Sequence, residues 1–166
     1  MGDAVDRAQA ARNVLERLGR KVPGFAGYLD RELTREIDQL VRAHLANSLD
    51  AARTSVAAYT RTLHLGAAGR LERLGSLEKE LDALANAVRH AGSGYAGLFD
   101  AVKVGQEQLQ AVYHLEMAFV EDVEAVAEAA EHLSEGEGEL NKLSETIAKV
   151  RVRLESRDQA FKGVFA

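Results

Sequence analysis

Residues 109–133 read LQAVYHLEMAFVEDVEAVAEAAEHL, and this stretch decides the fold class. Its apolar residues return at alternating intervals of three and four, the heptad pattern of a helix that packs lengthwise against other helices. The positions of this apolar stripe are Leu109, Val112, Glu116, Phe119, Val123, Val126, Ala130 and Leu133. The stretch therefore predicts a long amphipathic helix that carries one carboxylate, Glu116, in its apolar stripe.

Composition and glycine positions predict four further helices. The 28 alanines and 21 leucines outnumber the 22 isoleucine, valine and threonine residues, which favours helix over strand. Most of the 14 glycines fall into four clusters that interrupt the helical pattern, and Pro23 lies in the first cluster. We predict an all-α chain, with helices at 3–19, 29–65, 70–90, 98–134 and 139–162.

An internal repeat suggests how the helices are arranged. Residues 24–30 read GFAGYLD and residues 94–100 read GYAGLFD, an offset of 70 that also relates His44 to His114. Amphipathic, alanine-rich helices also share letters by chance, and that alternative stays open. The repeat predicts two copies of one helical hairpin.

The expected architecture is an elongated antiparallel four-helix bundle built from two repeated helical hairpins, plus an N-terminal helix. The single domain spans 1–166, with the N-terminal helix at 1–23 and the hairpins at 24–91 and 94–163. Each hairpin buries its apolar stripe against the other.

The glycine segments also carry a resemblance. The stretches VPGFAGYLDREL at 22–33 and GYAGLFDAVKV at 94–104 resemble segments of uncharacterised bacterial helical proteins. The resemblance covers about residues 20–134, and its motifs contain no catalytic group. It implies a bacterial cytoplasmic setting and no particular activity.

The composition excludes several classes of protein. The chain has no cysteine, which rules out thiolate metal sites, thiol enzymes and disulfide frameworks and suits a reducing cytoplasm. No apolar stretch approaches the roughly 20 residues that span a bilayer, and the acidic start MGDAVDRAQ lacks the features of an export signal. We therefore expect a cytoplasmic protein that is not embedded in a membrane.

Negative charge is concentrated in one helix. Residues 92–166 have a net charge of -7, and no lysine or arginine occurs between Lys103 and Lys142. One interpretation is a docking face for a basic protein partner, formed by Glu121, Glu124, Glu128 and Glu131. The other is a solvated face neutralised by basic neighbours on the second and fifth helices. Either way, nucleic acid and anionic membrane surfaces are disfavoured as partners.

A metal centre is the second possibility for function. The Glu-x-x-His spacing of ferritin-like di-iron bundles is absent. Because His44 and His114 are equivalent under the repeat, they could meet near mid-bundle with Glu116 and bind a transition metal. The alternative is that an arginine pairs with Glu116, since a buried carboxylate needs a partner. No other cofactor is indicated.

No catalytic motif is present, so we expect a protein that is not an enzyme. The favoured hypothesis is a helical interaction and self-assembly module that presents an acidic helix face to an unknown protein partner. A homodimer is expected because the second helix exceeds the third by about 15 residues and leaves part of its apolar stripe uncovered. The alternative is a metal-binding bundle for storage or oxidative-stress protection.

Overall fold

The computed structural model describes residues 2–25, 35–91, 106–134 and 136–165, and these contain five helices and no strand. The helices are α1 Gly2–Lys21, α2 Arg35–Thr60, α3 Ala68–His90, α4 Gln106–Glu131 and α5 Glu137–Phe165. The all-α prediction is therefore confirmed for the described part of the chain.

Helices α2 to α5 form a closed four-helix bundle. α2 packs on α3, α3 on α5, α5 on α4, and α4 on α2. The turns of the two hairpins lie at the same end of the bundle. A hydrogen bond between them shows this: the Tyr59 hydroxyl donates to the carbonyl of Ser134 at 2.7 Å. α2 and α4 therefore run parallel to each other, and α3 and α5 run antiparallel to them.

Arg70, at the start of α3, ties the two hairpin turns together. Its guanidinium donates to the carbonyls of Ser134 and Gly136 and pairs with Glu137 at 3.0 Å. It also lies over the ring of Tyr59, 5.7 Å from the centroid, which is within cation–π range. One side chain thus binds two carbonyls of the loop between α4 and α5.

The core is made of the predicted apolar stripes. The buried members are Leu45, Leu49, Ala52 and Val56 of α2, Leu74, Leu77, Leu81, Leu84 and Val88 of α3, Val112, Phe119, Val123, Val126 and Ala130 of α4, and Leu140, Leu143, Ile147 and Val150 of α5. Because each helix shows the same heptad spacing, four such stripes can close around one apolar axis.

The predicted length of the second helix is wrong at its C-terminal end. α2 ends at Thr60, not at 65, and a turn follows in which the amide of Thr62 donates to the carbonyl of Tyr59 at 2.9 Å. The predicted helix starts at 29 and 98 lie outside the described residues. Over the described residues α2 has 26 residues and α3 has 23. The earlier end at Thr60 shortens the expected overhang by five residues, and the part of it that precedes Arg35 lies outside the described residues.

α1 is a fifth helix that packs mainly on α4. It ends at Lys21, two residues before Pro23, as the proline predicts. The turn that follows is closed by a bond from the Phe25 amide to the Val22 carbonyl at 3.1 Å, and Phe25 is buried. Gly24 has a φ of 84°, a left-handed conformation that side chains with a Cβ rarely adopt.

Substitution of Gly24 tests whether this turn is required. Gly24→Ala should lower the free energy of unfolding by about 1–2 kcal/mol, because a Cβ disfavours the left-handed conformation. Gly75→Ala is the matched control: Gly75 lies within α3, and a Cβ there meets nothing within 4 Å. It should raise stability by about 1 kcal/mol, because alanine favours helix over glycine. Urea denaturation monitored by circular dichroism measures both free energies of unfolding. If the two substitutions change stability equally, the turn does not require glycine at position 24.

Candidate functional site

Four charged side chains meet where α2, α4 and α5 approach one another, and we call them the buried charge cluster: Asp38, Arg42, Glu116 and Arg157. Asp38, Glu116 and Arg157 are all buried, at 3%, 6% and 6% exposure. Arg157 donates from Nη2 to Asp38 Oδ1 at 3.0 Å and to Glu116 Oε1 at 2.9 Å. Its guanidinium thus joins three helices.

Arg42 completes the buried charge cluster. It lies one turn after Asp38 on α2, donates from Nε to Asp38 Oδ2 at 2.9 Å, and reaches the Ala91 carbonyl at the end of α3, at 2.6 Å. Two carboxylates therefore face two guanidinium groups, and the formal charges cancel. Buried charges persist in a core only when they are paired in this way.

The prediction that an arginine pairs with Glu116 is confirmed. Arg42 and Arg157 were expected as basic neighbours of the fourth helix, but their place in the core and the part played by Asp38 were missed. A signal for them was present, because Asp38 lies seven residues before Leu45 of the α2 stripe. Arg157 likewise lies three residues after Leu154, which continues the stripe of α5. Extending the α2 pattern back by one heptad and the α5 pattern forward by one position would have placed these charges in the core.

A small cavity adjoins Glu116 and Arg157. Its volume is about 30 Å³, and its lining comprises Leu115, Glu116, Phe119, Arg153, Ser156, Arg157 and Ala160. A water molecule needs about 10–15 Å³ of such space and several polar partners, so the cavity has room for about two waters. A larger ligand would not fit without displacement of the surrounding side chains.

The proposed metal ligands are not brought together. His114 is exposed on α4, His44 is half-buried on α2, and Glu116 is held by Arg157 on α5. Among the described residues, no group of three or more His, Asp or Glu side chains is placed to hold a metal ion. His114 and Glu116 are not placed to bind one metal ion together because they are two positions apart in the sequence, which puts them on different faces of α4.

The acidic face of α4, defined as Glu121, Glu124, Glu128 and Glu131, is divided into two halves. Arg17 and Lys21 of α1 form ion pairs with Glu121 and Glu124, respectively. Glu128 and Glu131 are exposed, and neither forms an ion pair with another described residue. One half of the acidic face is thus covered by α1 and the other half is open.

Neutralisation of α4 also comes from α5. Asp122, which is buried, pairs with Lys149 at 2.8 Å and with Arg153. The expectation that basic residues of the fifth helix neutralise acidic groups of the fourth is therefore confirmed at Asp122 and Glu116. The role of α1 was missed, because its sequence does not specify which helix it packs against.

α1 is held chiefly by apolar contacts. Val14, Leu18, Val22 and Phe25 are buried, at a spacing of 4, 4 and 3 that forms one helical stripe continued into the turn. Each such burial contributes about 1.5–3 kcal/mol, whereas a solvent-accessible ion pair contributes about 0–1 kcal/mol. The apolar contacts therefore supply most of the free energy that holds α1 on α4. The main effect of the two ion pairs is to select the position of α1 along α4.

His44 lies near the contact of α1 with α4. Partial burial lowers the pKa of His44 below the value of 6.5 for a free side chain; the negative charge of Glu124 opposes this shift and the positive charge of Lys21 adds to it. The imidazole is therefore neutral over a wider pH range in the folded chain than in the unfolded chain.

Comparison with protein-family models, curated proteins and solved structures gave no match to this chain. The resemblance of the segments at 22–33 and 94–104 to bacterial helical proteins stays a prediction, and most of those residues lie outside the described part. Within the described residues, none of the helices combines the length and apolar character that crossing a lipid bilayer requires.

Removal of the Arg157 guanidinium tests the buried charge cluster. Arg157→Met should lower the free energy of unfolding by about 3–5 kcal/mol, because it removes from the core the cation that Asp38 and Glu116 share. The matched control is Arg151→Met on the same helix, where the exposed Arg151 pairs with Glu80 at 3.4 Å; its cost should stay below about 1 kcal/mol. Urea unfolding measures both, and similar losses would argue against a special role for Arg157.

The lowered pKa of His44 predicts a pH dependence of stability. As the pH falls below 6.5, the unfolded chain binds a proton at His44 that the folded chain does not, so stability decreases until the folded group also titrates. His44→Gln should remove this contribution. The unfolding free energy of wild type minus that of the variant should therefore decrease from pH 8 to about pH 5. His90→Gln, at an exposed position, is the control; a constant difference for His44→Gln would refute the assignment.

Proposed function

We propose that this protein is a non-catalytic helical interaction module that presents the acidic face of α4 to a protein partner. The observation that carries the proposal is the docking of α1 on this face through Arg17–Glu121 and Lys21–Glu124. A face that accepts one basic helix has the charge and the shape to accept a basic protein surface.

The open half of the acidic face supports the same function. Glu128 and Glu131 are three positions apart on α4 and therefore lie on one side of the helix. Both are exposed and form no ion pair within the described residues. A basic partner could bind them without disturbing the core or α1.

The buried charge cluster supports a structural role over a catalytic one. Its formal charges balance, and the cavity beside it holds little more than water. Its residues bind one another across three helices, which positions the helices.

The proposal has three further parts: the protein assembles with itself, its two hairpins are related copies, and it is located in the cytoplasm. In a symmetric dimer, two identical acidic faces would repel each other, so the acidic face would have to meet a different, basic surface of the second copy. The offset of 70 relates the end of α2 at Thr60 to the end of α4 at Glu131 within one residue, which supports two related hairpins. The lack of cysteine supports the cytoplasm as the location.

Charge reversal of the open half tests the proposal. Glu128→Lys/Glu131→Lys should abolish retention of partner proteins on immobilised full-length chain, because the partner would meet positive charge. Glu145→Lys/Glu155→Lys is the control: it makes the same change in net charge at exposed positions of α5 that form no ion pair within the described residues. Quantitative mass spectrometry of retained proteins, at low and high salt, gives the measurement.

The supporting result is a salt-sensitive set of proteins that wild type and the α5 control retain and that the α4 variant loses. If all three chains retain the same proteins, the acidic face is not the binding surface. Light scattering of the three chains over a range of concentrations tests the self-assembly part separately.

A further inference from the structure

α1 lies outside the four-helix bundle, although its buried side chains Val14 and Leu18 belong to the same hydrophobic core cluster. The four contacts among α2, α3, α4 and α5 close the bundle without it, and α1 packs mainly on α4. Among the residues of α1 whose burial is described, Val14 and Leu18 belong to the core, whereas Asp6, Gln9, Ala10, Arg12 and Asn13 are exposed. The helix could leave α4 without opening the four-helix bundle.

The contact surface of α1 has a simple pattern. Val14, Leu18 and Val22 recur at intervals of four and are buried, and Arg17 and Lys21 recur at the same interval beside them. The carboxylates they meet on α4, Glu121 and Glu124, are three positions apart. A parallel amphipathic helix with one apolar stripe and one basic edge therefore meets the requirements of this surface.

We propose that α1 occupies the place of the partner, and that the partner is a basic amphipathic helix that displaces α1 from α4. This rests on the proposed function of the acidic face, and it names the partner's chemistry and the regulation of the site. The partner carries cationic side chains four residues apart beside an apolar stripe of the same spacing. While α1 is docked, it competes with the partner for Glu121 and Glu124.

The contacts permit such an exchange. The ion-paired side chains are accessible to solvent, with exposures of 54% and 46% for Arg17 and Glu121 and 32% and 42% for Lys21 and Glu124. An incoming cation can therefore approach either glutamate before α1 has left. The newcomer's apolar stripe then covers the surface of α4 that Val14, Leu18 and Val22 release, so little apolar area is exposed overall.

The probe is a fluorescein-labelled synthetic peptide with the sequence of residues 2–25, titrated into full-length protein and followed by fluorescence anisotropy. In the chain variant Arg17→Glu/Lys21→Glu, the resident helix is weakened, so the peptide should bind at least about tenfold more tightly than to wild type. Adding Glu121→Lys/Glu124→Lys to that variant should weaken binding of the peptide at least about tenfold, because the reversed charges repel the peptide and restore ion pairs to the resident helix. Glu145→Lys/Glu155→Lys, the control, should bind it as wild type does.

Two further measurements keep the test decisive if a variant is poorly folded. A second peptide, carrying Arg17→Glu and Lys21→Glu, should bind the Glu121→Lys/Glu124→Lys chain more tightly than the first peptide does. In ¹⁵N-labelled wild type, unlabelled peptide should move the amide resonances of α1 to disordered positions and leave those of α3 and α5 in place. The proposal is supported if the second peptide binds the charge-reversed chain more tightly and if the first peptide displaces α1 from wild type.

Three results would overturn it. Equal binding to wild type and to Arg17→Glu/Lys21→Glu, with the α1 resonances unmoved, would mean that α1 does not occupy the partner's place. The proposed function would survive that result if Glu128→Lys/Glu131→Lys still lost its partners. Absence of peptide binding to every chain would overturn the inference alone. A one-to-one complex of Arg17→Glu/Lys21→Glu with Glu121→Lys/Glu124→Lys, without peptide, would make the occupant a second copy of this chain.

Discussion

The buried guanidinium of Arg157 is the constraint on which the rest of the bundle depends. It binds Asp38 of α2 and Glu116 of α4 at 3.0 and 2.9 Å, and its own helix is α5. Apolar stripes alone allow helices to slide past one another by a turn of about 5.4 Å at modest cost. A slide of that size would break both bonds inside the core, so the ion pairs select one register.

Charge also explains why an acidic helix can lie inside this protein. Glu116 and Asp122 face the core and are neutralised by arginine and lysine from α5, whereas Glu121 is neutralised from the other side by Arg17 of α1. Self-repulsion along α4 is thereby reduced by its neighbours on both sides. Within the acidic face, the glutamates that form no ion pair among the described residues are Glu128 and Glu131, at the C-terminal end of the helix.

Much of the fold and part of the site could be predicted from local pattern. The stripe of α4, the break at Pro23 and the pairing of Glu116 with an arginine depend on spacing, backbone geometry and the cost of a buried charge. These act within one helix or on one group. Asp38 and Arg157 belong to the same class, because each continues a heptad pattern that places it in the core. By contrast, the end of α2 at Thr60 depends on the turn that follows and on contacts with α4.

The sequence by itself determined an all-helical chain, the faces that become buried and the need of Glu116 for a cation. Only the tertiary structure decided which cation that is, that His44, His114 and Glu116 form no metal-binding group, and that α1 pairs with Glu121 and Glu124. The reason is that helical periodicity specifies which side of a helix is buried but not which helix covers it. That choice is made by the simultaneous packing of all the helices, in which Arg17 and Lys21 find their carboxylates a hundred residues away in the chain.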